Sequence, residues 1–81
     1  MNEHALFLVQ NTYPANGHQY WHGFVKREDA ADFMKKFAAL EVASSMYFGS
    51  VTLDAKQLVE SRRPFGCVVN PEQMSKTLKE V

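Results

Sequence analysis

REDAADFMKKFAALEV, residues 27–42, decides how the rest of the chain is read. Apolar side chains at Ala30, Phe33, Met34, Phe37 and Ala38, with Leu40 or Glu41 next in line, keep the i, i+3, i+4, i+7 spacing of one helical stripe. Asp32, Lys35, Lys36 and Glu41 take the opposite side. Glu28 and Asp29 in the first turn, with Lys35 and Lys36 later, follow the order that the helix dipole favours. Asp32 stands four residues before Lys36, a weakly helpful pairing on an exposed face. A helix of this kind hides its stripe against another layer, and Phe33 and Phe37 are the side chains a small core can least spare.

The core has to be small. A chain of 81 residues makes one domain and buries only about 60 to 65% of its unfolded surface. Apolar content of 46% is too high for a disordered chain. Nine basic residues balance nine acidic ones, so no net field draws the chain toward nucleic acid or an anionic membrane. The single cysteine, Cys67, excludes an internal disulfide framework and any multi-cysteine zinc site. The N-terminus carries an acidic residue before an apolar run of five, unlike a signal peptide, and no run approaches a membrane span. These features point to the cytoplasm.

Ahead of the helix, ALFLVQ at 5–10 reads as a strand, and NTYPANGHQYWHGFV follows with Asn16-Gly17 at its centre. Asn-Gly is the strongest short signal for a two-residue type I′ hairpin. That turn pairs Tyr13 with Tyr20, Thr12 with Trp21, Val9 with Phe24 and Leu8 with Val25. Phe7, Val9, Tyr13, Tyr20 and Phe24 then share one face, and Leu6, Leu8, Trp21 and Val25 share the other. Both faces are apolar at the open end, so a second cover is needed besides the helix. Pro14 disturbs a regular ladder beside the turn, and a longer loop over about 11–18 is the alternative.

Beyond the helix, a strand is expected from about Met46 to Leu53, with Gly49 marking a bulge or a close backbone approach. Asp54 and Gln57 have capping-box spacing ahead of a short helix from Ala55 to about Arg62, which Pro64 ends. FGCVV at 65–69 reads as a buried strand. Asn70, Pro71 and Gln73 start a last helix with Met74, Leu78 and Val81 along one face. The expected fold is a single α+β domain over 1–81, in the order ββαβ(α)βα. Its small, mostly antiparallel sheet has three or four strands, packed against the main amphipathic helix and a C-terminal helix.

Catalysis finds little footing. His18 and His22 fall about 13 Å apart along an extended strand, too far for one ion. Cys67 sits in the most apolar strand, where a thiol behaves as a small hydrophobe. The serines lack a nucleophile elbow, and no glycine-rich phosphate loop or metalloprotease motif occurs. No metal, cofactor or enzymatic activity is expected.

The first expectation is therefore a non-enzymatic protein-binding module, a modulator or inhibitor of a larger complex of the kind bacteria and phages encode. Its contact residues are Tyr13, Tyr20, Trp21, His22, Arg62 and Arg63, and its counterpart is a partner protein or a second copy of the chain. The alternative is a single-stranded nucleic-acid-binding domain that uses the sheet aromatics and the pairs Lys26-Arg27 and Arg62-Arg63. Zero net charge weighs against it.

Overall fold

The computed structural model describes residues 2–81. Its order is β1 (Asn2–Thr12), β2 (Gln19–Phe24), α1 (Arg27–Ala38), β3 (Ala43–Leu53), α2 (Ala55–Ser61), β4 (Cys67–Val69), a 3-10 turn (Pro71–Gln73) and β5 (Lys79–Glu80). The strands form one antiparallel sheet in the order β4-β2-β1-β3-β5. The α+β class is as expected, but the sheet has five strands rather than three or four.

This topology forces a two-sided cover. β2 and β3 both run antiparallel to β1, one on each side of it, so they are parallel to each other and their connection must cross over the central strand. α1 makes that crossing on one face, burying Ala30 and Phe33 against Val9 and Phe24, with Phe7, Met34, Phe37 and Met46 around them. The return from β3 to β4 crosses the other face through α2. There Leu6, Leu8, Val51, Leu53, Cys67 and Val69 form a second core, closed by Leu58, Met74, Leu78, Trp21 and Tyr47. β1 serves both cores, which explains why ALFLV is continuously apolar rather than alternating.

The hairpin register differs from the Asn-Gly expectation. Phe7 pairs with Phe24, Val9 with His22, Asn11 with Tyr20 and Thr12 with Gln19, a slip of two residues. Pro14 has no N–H to give to a tight ladder. Instead Tyr13 N–H donates to His18 O at 3.0 Å, Gly17 N–H donates to Tyr13 O at 2.8 Å, and Gly17 takes φ +70°. The Asn16 carboxamide oxygen accepts from His18 N–H at 2.9 Å. Because side chains alternate with period 2, a slip of two leaves every residue on its expected face. Val25 is the exception, since it lies beyond the strand and is exposed.

α1 is shorter than 27–42. Glu41 adopts φ +59°, Val42 N–H reaches back to Phe37 O, and Glu41 N–H reaches Ala38 O, a Schellman-type ending. Leu40 consequently leaves the apolar stripe and is exposed. Asp54 and Gln57 form the expected capping box, Asp54 Oδ1 accepting from Gln57 N–H at 2.8 Å and Gln57 Oε1 from Asp54 N–H at 3.2 Å.

The expected C-terminal helix is absent. After one 3-10 turn the chain becomes extended, bridges Val51 at Met74, and adds β5 opposite Tyr47 and Phe48. The outer edge of β3 explains this, because its free carbonyls take Ser75 N–H at 2.9 Å and Val81 N–H at 3.0 Å. Leu78 lies directly over Gly49, the close approach that glycine allows there. No helix among the described residues is long and apolar enough to cross a membrane.

Candidate docking site

α1 covers the middle of its face and leaves a flank toward β4. Phe24, Phe33 and Phe37 step along that flank, with ring centroids 5.1 and 4.8 Å apart. The series continues outward through Tyr13, 6.5 Å from Phe37, to Tyr20, 5.3 Å from Tyr13, both contacts edge-on. His22 lies against Phe33 at 4.6 Å. Tyr13, Asn16, Tyr20, His22, Phe37 and Val68 enclose a groove of about 480 Å³.

The rim is more apolar than a water-facing surface requires. Val68, the outward residue of β4 between buried Cys67 and Val69, is 63% exposed, and Tyr20 is 46% exposed. Phe65 is 68% exposed, so the expected strand over 65–69 is corrected to Cys67–Val69. Arg63-Pro64-Phe65-Gly66 is a tight turn, closed by Gly66 N–H donating to Arg63 O at 3.0 Å. Proline in the second position and glycine in the fourth suit such a turn. Gly66 is required there: it takes φ +64°, and a β-carbon at that position would run into Gly23 O and the Phe24 ring. The turn presents Phe65 at its apex, and the Lys36 ammonium rests 4.9 Å from the Phe65 ring centroid.

Of the contact residues expected from sequence, Tyr13, Tyr20 and His22 meet in the groove. Arg62 and Arg63 are exposed at the end of α2 and lead into the Phe65 turn. Trp21 lies apart, half-buried on the other face, 5.5 Å from Tyr47. Asn16, Lys36, Phe37, Phe65 and Val68 complete the site and were not singled out. Phe65 had a local signal in Pro64 and Gly66, and Asn16 joins through the hairpin turn it shares with Tyr13 and His18; Lys36, Phe37 and Val68 join only through long-range placement of α1 beside β4.

Titratable chemistry is sparse in the groove. Burial lowers the His22 pKa and favours neutral imidazole, and its Nδ1 is buried without a hydrogen-bond partner. Burial raises the Cys67 pKa, which keeps the thiol protonated on the far face. His18 is taken up by Tyr20, whose hydroxyl lies 3.4 Å from its Nδ1. Among the described residues no three His, Cys, Asp or Glu side chains gather where they could hold a metal ion. A second concavity of about 340 Å³ lies between Asn2, His4 and the start of α2, where the Asp54 carboxylate is already engaged in its capping box.

No family model, no curated protein and no solved structure matches this chain.

Proposed function

We propose that this chain is a small, non-enzymatic protein-binding module that modulates or inhibits a larger protein complex, docking through the groove between α1 and β4. The observation that carries the reading is the row of exposed apolar side chains at Tyr20, Phe65 and Val68 beside an aromatic-walled groove. Such side chains lose water on contact with a partner and cost the fold little when left exposed. The aromatic stack behind them fixes Tyr13 and Tyr20 in advance, so less side-chain freedom is lost on binding. A cytoplasmic bacterial or phage accessory protein fits the composition, and its free buried cysteine suits a reducing compartment.

Support for a nucleic-acid platform is thinner, because Phe24 is buried beneath α1 while Trp21 and Tyr47 pack into the opposite core. The test compares capture by wild type, by Tyr20→Ser/Val68→Ser and by the far-surface variant Val59→Ser. The proposal predicts a protein held by wild type and Val59→Ser and lost by the groove variant. Equal capture by all three abandons it.

A further inference from the structure

We infer that the groove receives an uncharged, proline-rich segment of the partner protein in the polyproline II conformation. A proline ring seats among Tyr13, Tyr20 and Phe37, and carbonyls of the segment accept from the Tyr13 hydroxyl and the Asn16 amide. This rests on the docking reading above and adds the chemistry of what docks.

The lining itself carries the inference. Tyr13, Asn16, Tyr20, His22, Phe37 and Val68 include no charged group, since burial favours neutral His22. Charges on the elements beside it come in both signs: α1 places Asp32 one turn before Lys36, and α2 places Glu60 two residues before Arg62. A carboxylate or ammonium seated in the groove would lose water with no opposite charge among the lining residues to replace it, so an uncharged occupant is selected.

Hydrogen-bond chemistry narrows the class further. Acceptors around the groove are engaged: Asn16 Oδ1 takes His18 N–H at 2.9 Å, Tyr13 O takes Gly17 N–H at 2.8 Å, His18 O takes Tyr13 N–H at 3.0 Å, and Val68 O takes Gln57 Nε2 at 3.0 Å. With its oxygen fixed in that way the Asn16 amide keeps its N–H pair to donate, and the Tyr13 hydroxyl is a second donor. A site that offers donors and few acceptors suits a chain with carbonyls and few N–H groups, which is what proline makes. Aromatic walls already set by edge-on contacts suit the proline ring. Polyproline II is extended before it binds, so little freedom is lost. Strand addition to β4 is the competing mode, and it has little to pair with, because β4 is three residues long and its Val68 carbonyl is taken.

The test selects random twelve-residue peptides displayed against the folded protein, then measures the enriched peptides, fluorescein-labelled, by anisotropy. The expected sequences carry prolines three positions apart, which fall on one side of a polyproline II helix, with no preference for charged residues between them. Their binding changes by less than about twofold between low and high salt. It weakens about two- to tenfold in Tyr13→Phe, which keeps the ring and removes one donor, and is lost in Tyr20→Ser/Val68→Ser. Circular dichroism melts check that each variant folds, and Val68→Thr, which keeps a β-branched side chain in the strand, replaces the double variant if that one is unstable. Enriched peptides that lack proline, are charged or bind Tyr13→Phe unchanged, yet require Tyr20 and Val68, overturn the proline-rich occupant and leave docking standing. No enrichment at all also overturns it, and docking is then judged by capture of the partner. Peptides indifferent to Tyr20 and Val68, or a preference for single-stranded oligonucleotide, overturn both.

Discussion

Where α1 covers the sheet, a single 12-residue helix supplies aromatic side chains that reach from the buried core to the surface. Where α2 and the tail cover it, no element is long enough to do the same. Hydrogen bonds between side chains join the pieces instead. Gln57 and Gln73, each the residue whose oxygen caps its own turn, also clasp one another: Gln57 Nε2 donates to Gln73 Oε1 at 3.0 Å and Gln73 Nε2 to Gln57 Oε1 at 2.8 Å. Their amides reach further, to Val68 O at 3.0 Å and Thr52 O at 2.9 Å. α2, β4, the 3-10 turn and β3 are thereby linked through two side chains. A single helix covers the middle of its face and leaves an open flank beside it, whereas a patchwork held by amides closes its face and leaves less apolar surface for a partner.

The comparison breaks first if the helix side does not depend on its aromatic stack. Phe33→Ala should cost about 3–5 kcal/mol of unfolding free energy in denaturant titration. A loss below about 1 kcal/mol would mean that α1 is not anchored as described. On the amide side, Gln57→Ala or Gln73→Ala should each cost about 1 kcal/mol, because each truncation takes hydrogen bonds away from the part-buried amide that faces it. The double variant should cost clearly less than their sum, since both residues belong to one network.

A smaller effect separates the faces by pH. Burial holds the folded pKa of His22 below the ordinary 6.5. Its contribution is therefore complete above that pH, where both states are neutral. It is lost as pH falls through the window below 6.5, where the unfolded chain takes up the proton first. Melts of wild type and His22→Phe should diverge on acidification, wild type falling faster; parallel curves would remove His22 from the account. The smallest effect is at the rim, where Phe65→Ser should change stability by no more than about 0.5 kcal/mol. A large loss would make Phe65 a packing residue.

The same contrast explains what the sequence made legible. The stripe through Ala30, Phe33 and Phe37 repeats strongly enough to announce a helix, and Asp54 with Gln57 announces the start of the next one. Asn70 and Gln73 marked a start but not a length. Met74 and Leu78, four apart, fall on one side of a helix and of a strand alike, and only the unpaired edge of β3 decides between them. The hairpin faces survived a wrong register because the slip was even. Tyr13, Tyr20 and His22 could be proposed from their place in the hairpin. Val68 and Phe37 could not, since what unites them is the lateral position of α1, which no local pattern encodes.

The account's central claim is that the α1–β4 flank can be altered without disturbing the fold. The direct measurement is partner capture and thermal melting, side by side, for wild type and Tyr20→Ser/Val68→Ser. The account predicts a melting temperature within a few degrees of wild type together with loss of the captured protein. Unchanged capture, or unfolding of the variant, would contradict it.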